Sequence, residues 1–65
     1  MIDIQVVNNI YNLLKQEKHI PLSYIQDIED DDYDSKVSED IKNELSYLIA
    51  TDNPNLEHLE TLLDN

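Results

Sequence analysis

The sequence contains no cysteine, no glycine and no arginine among its 65 residues, and each absence excludes a class of protein. Without cysteine, the chain cannot form disulfides or a thiolate zinc site. Without glycine, turns that require a positive φ angle must use asparagine or aspartate, which disfavours hairpins and β-rich folds. Without arginine, the chain lacks the side chain that leads in phosphate and nucleic-acid recognition.

Long apolar runs are also missing. No stretch approaches the roughly 18 consecutive apolar residues of a membrane span. The chain begins Met1-Ile2-Asp3-Ile4, with an acid in place of the basic residues that open a signal peptide. We therefore expect a cytoplasmic protein without a membrane partner. The net charge of −11 also disfavours direct binding to nucleic acid, because like charges repel.

What is present is helical spacing of apolar residues. Residues 3–17 predict a first helix, with Asp3 as its N-cap. Pro21 prevents the first helix from continuing and is expected at the first position of a short second helix. The apolar face of the first helix comprises Ile4, Val6, Val7, Ile10, Tyr11, Leu13 and Leu14. That of the second comprises Ile20, Tyr24, Ile25 and Ile28.

Two further helices are expected in the second half of the chain. Ser38 is the predicted N-cap of the third, and the stretch 52–54 (Asp-Asn-Pro) ends it. Asn53 is expected to cap the fourth helix, with Pro54 at its first position. The third apolar stripe comprises Ile41, Leu45, Leu48 and Ile49, and the fourth comprises Leu56, Leu59, Leu62 and Leu63. In the fourth helix, Glu57, His58 and Glu60 are expected to face water.

These elements predict an all-α fold for residues 1–65, as a single domain. The expected architecture is a small compact three- or four-helix bundle with an acidic inter-helix loop. The run 29–34 is interpreted as that loop or as a frayed helix end, because adjacent like charges strain a helix.

Negative charge is concentrated in residues 27–44, which hold nine acids and two lysines and so carry seven of the eleven net negative charges. Clustered charge lowers the stability of a compact state, which favours a docking surface for a positively charged partner. The alternative is a solvated face that only maintains solubility. The acids are Asp27, Glu29, Asp30, Asp31, Asp32, Asp34, Glu39, Asp40 and Glu44.

Calcium binding is disfavoured for the same residues. With Asp30 as the first residue of an EF-hand loop, Ser35 stands where the turn glycine is needed and Ile41 where the bidentate glutamate is needed. His19 and His58 lie in no metal-binding pattern, so His19 is interpreted as a helix-end residue and His58 as an exposed one. We expect neither a metal nor a cofactor.

The four tyrosines have two interpretations. Tyr33, between two aspartates, is predicted either to anchor a partner or to fold back over the core. Tyr11, Tyr24 and Tyr47 lie on or beside apolar stripes and are expected in the core or at its edge.

No nucleophile, base or glycine loop forms a catalytic pattern, and so small a helical chain leaves little room for a cleft; no enzyme activity is expected. The first functional hypothesis is a small acidic inhibitor of a nuclease or nucleic-acid-binding protein, which it binds through that protein's basic surface. Phage antagonists, immunity proteins and antitoxins have this character. The predicted partner-binding residues are Asp27, Glu29, Asp30, Asp31, Asp32, Tyr33, Asp34, Glu39 and Asp40.

The second hypothesis is a non-enzymatic adaptor or regulatory subunit that binds a partner through an apolar helix face. The first helix has a wide stripe, which a second copy of the chain could equally cover in a homodimer. Salt separates the two hypotheses, because it weakens binding through charge much more than binding through an apolar face. The stripe comprises Val6, Val7, Ile10, Leu13 and Leu14.

Overall fold

Four helices form the described part of the protein, which in this computed structural model comprises residues 1–52 and 55–64. They are α1 (Ile4–Lys15), α2 (Leu22–Glu29), α3 (Glu39–Ile49) and α4 (Glu57–Asp64). No described residue belongs to a β-strand, and one isolated parallel bridge joins Ile2 to Tyr33. The all-α helical bundle predicted from the sequence is confirmed.

The core is a single apolar cluster to which every helix contributes. α3 packs against both α2 and α4, and α4 also packs against α1. The stripes of the four helices supply most of the cluster, as their spacing predicted. Two members come from outside the helices, and neither was predicted. The buried residues are Ile2, Val7, Ile10, Ile28, Val37, Ile41, Leu45, Leu48 and Leu59.

The helix starts agree with the expected caps where the structure describes them. The Asp3 carboxylate accepts from the Val6 amide at 2.8 Å, and the Ser38 hydroxyl accepts from the Ile41 amide at 3.3 Å. Pro21 is the N-cap of α2 rather than its first residue, because its ψ of 141° is extended. The predicted N-cap Asn53 and first residue Pro54 lie outside the described residues.

Two helices end with a residue in the left-handed region that is not glycine. Glu17, at φ 58°, follows α1, and Asp31, at φ 57°, follows α2. At each helix end, the amide of the following residue donates to the carbonyl five residues earlier. The Lys18 amide donates to the Leu13 carbonyl and the Asp32 amide to the Asp27 carbonyl, both at 2.9 Å. These are Schellman motifs, in which glycine is the usual residue. Asp31 fits the expectation that aspartate replaces glycine in such turns; Glu17 does not.

Glycine at position 17 is therefore expected to stabilise the protein. Glu17→Gly removes a left-handed strain of about 1–2 kcal/mol, which exceeds the conformational entropy cost of glycine. We expect thermal unfolding followed by circular dichroism to show a melting temperature about 4 °C higher. Glu17→Gln is the control, since it removes the same charge and keeps the strain. An equal rise in both variants would assign the effect to charge instead.

The interpretation of Tyr47 and of several helix ends was wrong. α1 ends at Lys15 rather than Glu17, and α4 begins at Glu57, after Asn55 and Leu56, which are not helical. Tyr47 is 57% exposed and does not lie at the edge of the core. At 3.6 residues per turn it falls on the opposite side of α3 from Leu45, which is buried. α3 also ends at Ile49, before Asp52, and the Thr51 hydroxyl donates to the Tyr47 carbonyl at 2.8 Å.

The remaining predictions for α4 are confirmed in the described residues. Leu59 is buried, Leu62 and Leu63 are half-buried, and Glu57, His58 and Glu60 are exposed. Leu56 is also half-buried, although it precedes the helix. As to membranes, no helix in residues 1–52 and 55–64 combines the length and the apolar character needed to cross one.

Candidate functional site

The predicted acidic site is divided among three elements at one end of the bundle. Asp27 and Glu29 lie in the last turn of α2, and Glu39 and Asp40 in the first turn of α3. The remaining acids and Tyr33 lie in the connection between these helices, residues 30–38, called here the acidic connection. Six of the eight acids are exposed, and Asp27 and Asp34 are half-buried.

The acidic connection is anchored by the start of the chain. The Ile2 amide donates to the Asp32 carbonyl, and the Asp34 amide donates to the Ile2 carbonyl, both at 2.8 Å. The Ile2 side chain is fully buried, so the backbone pairing and the core fix the same residue. These two bonds join residues thirty and thirty-two positions apart, and no periodicity in the sequence predicted them.

Hydrogen bonds hold the rest of the acidic connection as well. The Asp34 carboxylate accepts from the Lys36 amide at 2.9 Å, and the Asp34 carbonyl accepts from the Val37 amide at 3.0 Å. The Tyr33 amide donates to the Asp31 carbonyl at 3.2 Å. With the Schellman motif and the Ile2 pairing, these bonds occupy the backbone amides of residues 31–34, 36 and 37. The backbone is therefore defined while the carboxylates of Asp30, Asp31 and Asp32 remain exposed.

The local electrostatics oppose this arrangement. α2 has no basic residue in its last turn, and acids surround its C-terminal end. The carbonyl end of a helix carries partial negative charge, so each exposed acid there costs about 0.3–1 kcal/mol at low ionic strength. The terminal amino group offsets part of the repulsion, lying 2.9 Å from the Asp27 carboxylate and 3.5 Å from that of Asp32. Its hydrogen bond to Asp27 raises the pKa of this amino group.

Lysine neutralises little of the charge. The Lys42 ammonium lies 4.0 Å from the Glu39 carboxylate and 5.4 Å from the centre of the Tyr33 ring. Glu39 is exposed, so this ion pair contributes at most about 1 kcal/mol. Glu44, the ninth acid of the run, is turned away from the site. Its side chain is 11% exposed, and its carboxylate lies 2.9 Å from Nδ1 of His58 on α4.

Tyr33 packs against the core, although it is flanked by aspartates. Its ring is half-buried beneath Lys42, and its hydroxyl is buried. Burial raises the pKa of this hydroxyl and the charge of Asp31 adds to the rise, whereas the nearby Ser46 opposes it. Even so, no described group meets the hydroxyl at hydrogen-bonding geometry. An unpaired buried hydroxyl destabilises the folded state.

Removing that hydroxyl is expected to stabilise the protein. Tyr33→Phe keeps the ring and its packing and eliminates an unpaired polar group, a gain of about 1 kcal/mol in the free energy of unfolding. Urea unfolding followed by circular dichroism measures this difference. Tyr24→Phe, at a half-buried tyrosine of α2, is the matched control and should change stability less. A loss of stability in Tyr33→Phe would show that the hydroxyl has a partner in solution.

The histidines offer no metal site. His58 is 66% exposed at its side chain and pairs with Glu44, a contact between α3 and α4 that its sequence position did not reveal. His19 is exposed in the connection between α1 and α2. Within the described ranges, no cluster of three or more histidine, aspartate or glutamate side chains has the geometry to hold a metal ion.

Comparison of the chain with protein-family models, with curated proteins and with solved structures found no match. The functional argument therefore depends on the site itself.

Proposed function

We propose that this chain is a non-catalytic, cytoplasmic inhibitor that binds the basic surface of a nuclease or another nucleic-acid-binding protein. Its carboxylates take the place of nucleic-acid phosphates, since both present negative oxygens to arginine and lysine side chains. Occupying that surface excludes nucleic acid by competition. Charge on both partners also accelerates their association.

One observation carries this proposal: the backbone of the acidic connection is held by hydrogen bonds within the chain itself. Most of its amides are hydrogen-bonded and Ile2 anchors it in the core, while Asp30, Asp31 and Asp32 are exposed. A preformed charged surface loses less conformational entropy on binding than a flexible loop does. Solubility alone requires neither this order nor acids at the carbonyl end of α2, where they are unfavourable.

The adaptor hypothesis receives less support. It requires an uncovered apolar face on α1, but none of the five stripe residues is exposed. Val7 and Ile10 are fully buried, and Val6, Leu13 and Leu14 are half-buried. The stripe is therefore mostly used within the bundle rather than left for a partner or a second copy of the chain.

Affinity capture with nucleic-acid competition tests the proposal. The tagged protein is immobilised in its folded state on a resin. It should retain a basic nucleic-acid-binding protein from a host lysate. Added duplex DNA or RNA should release that protein, because both ligands occupy one surface. Release should also follow a rise in salt, since charge dominates the contact. Retention that neither nucleic acid nor salt changes would contradict the proposal and favour an apolar adaptor.

A further inference from the structure

The α-amino group of Met1 lies within the acidic site. It donates a hydrogen bond to the Asp27 carboxylate at 2.9 Å and lies 3.5 Å from the Asp32 carboxylate. Asp27 belongs to the last turn of α2 and Asp32 to the acidic connection, so one cation joins two elements of the site. Among the described residues, the only other ion pair of the site joins Lys42 to Glu39 at 4.0 Å. The amino group is therefore the cation held closest to the carboxylates of the site.

The neighbouring residue fixes the position of this amino group. Ile2 is fully buried, and its backbone is hydrogen-bonded to Asp32 and Asp34 at 2.8 Å. The amino group belongs to the backbone one residue earlier and lacks the flexible stem of a lysine. Exposed ion pairs contribute little, partly because two long side chains must be ordered to form them. Here the fold already orders the cation, so the contact costs less conformational entropy.

Two carboxylates determine the electrostatics of the amino group. Asp27 and Asp32 raise its pKa above the ordinary value of 8.0, mainly through the hydrogen bond to Asp27. Asp3 directs its carboxylate to the Val6 amide instead. No described charged side chain of α3 or α4 forms an ion pair with the amino group. A change in the charge of this nitrogen therefore acts mainly on Asp27 and Asp32.

We propose that the Met1 amino group is a charge switch of the acidic site. As a free ammonium group, it offsets the charge of Asp27 and Asp32 and ties α2 to the acidic connection. Acyl transfer from a thioester forms an amide C–N bond, breaks the C–S bond and releases the thiol and one proton. The nitrogen is then neutral, and the site gains one net negative charge. The effect on a basic partner rests on the proposed function: the acylated form binds it more tightly, whereas the free form is more stable.

Three chemically synthesised forms of the full chain test the switch. They carry at Met1 a free amino group, an N-acetyl group or an N-methyl group. The N-methyl form is the matched control, because it modifies the same nitrogen and keeps the positive charge. At pH 7 the acetyl form should melt about 2 °C below the other two, since it has lost the ion pair. Circular dichroism measures the three melting temperatures.

Alkaline pH should remove this difference. Because the pKa of the Met1 amino group is raised in the folded state, its stabilising effect is complete below about pH 8 and is lost as the pH rises through the folded value. The free and acetyl forms should therefore converge between about pH 8 and pH 10. Tyrosines and lysines titrate in both forms, so the difference isolates the amino group. With Asp27→Asn and Asp32→Asn together, acetylation should have no effect at any pH.

A peptide of about ten lysines is the binding probe for the charge of the site. At about 0.1 M salt, where charges act within about 10 Å, the acetyl form should bind it about twofold more tightly than the free form. Calorimetry measures both affinities. Lys18→Gln in the free form is the charge control, since it removes one positive charge. Lys18 is exposed beyond the other end of α1 from Met1, so this variant should change the affinity less.

Three outcomes overturn the inference. Identical melting of the free and acetyl forms at every pH would show that the amino group does not contact the two carboxylates in solution. A difference in melting without a difference in probe affinity would make the amino group an anchor and not a switch. An equal effect of Lys18→Gln would assign the gain to net charge. The proposed function fails separately, if neutralising the aspartates of the acidic connection leaves binding of the captured target unchanged, whatever the three forms show.

Discussion

Ile2→Ala is expected to lower the free energy of unfolding by about 3 kcal/mol, in the range measured when buried isoleucine is cut to alanine. The Ile2 side chain is fully buried, and the backbone of Ile2 is hydrogen-bonded to Asp32 and Asp34 of the acidic connection. A chain of this size has a total stability of about 3–10 kcal/mol. The variant should therefore melt at least about 12 °C lower, or be partly unfolded at room temperature.

Ile4→Ala is the matched control, because Ile4 is the same residue type two positions later and 39% exposed. It should change the melting temperature by only a few degrees. Hydrogen exchange adds a local measurement, since the Asp34 amide donates to the Ile2 carbonyl and should lose protection in Ile2→Ala. Equal melting temperatures for the two variants would mean that Ile2 does not anchor the acidic connection in solution.

Neutralising the acidic connection is expected to reduce target binding by the largest factor. The variant replaces Asp30, Asp31, Asp32 and Asp34 together with asparagine, which tolerates the left-handed angle at position 31 and can still accept from the Lys36 amide. The helical spectrum should be unchanged. The association rate with the captured target should fall at least about tenfold and become less dependent on salt. Surface plasmon resonance at two ionic strengths measures both effects.

A second quadruple variant separates local charge from net charge. Glu17, Asp52, Glu57 and Glu60 are exposed and lie outside the predicted site, and replacing them with asparagine or glutamine gives the same net charge. This control should keep most of the association rate. An equal fall in both variants would assign the effect to overall charge. Normal binding by the first variant would make the acids a solvated face and return the adaptor hypothesis to first place.

The predictions that the structure confirmed depend on short-range patterns. Asp3 and Ser38 cap helices because their side chains reach amides three residues ahead, a distance within one turn. The apolar stripes identified the buried helix residues because helical periodicity places them on one face. The prediction for Tyr47 was wrong, because a residue can be close to an apolar stripe in the sequence and still lie on another face of the helix.

The contacts that build the site are long-range, and pattern reasoning missed them. Ile2 and Val37 lie outside the helices, where no period marks a residue as buried. The pairing of Ile2 with Asp32 and Asp34 and that of Glu44 with His58 depend on how the helices pack. Glu44 shows the consequence, since the sequence places it in the acidic run and packing removes it from the exposed surface.

The sequence by itself determined the helices, the caps of α1 and α3, the inward faces and the concentration of negative charge, because each of these is a property of neighbouring residues. Only the tertiary structure decided that the start of the chain anchors the acidic connection and that Tyr33 packs on the core. Those features arise where distant segments meet, and the burial of one apolar side chain, Ile2, fixes the position of the charges around it.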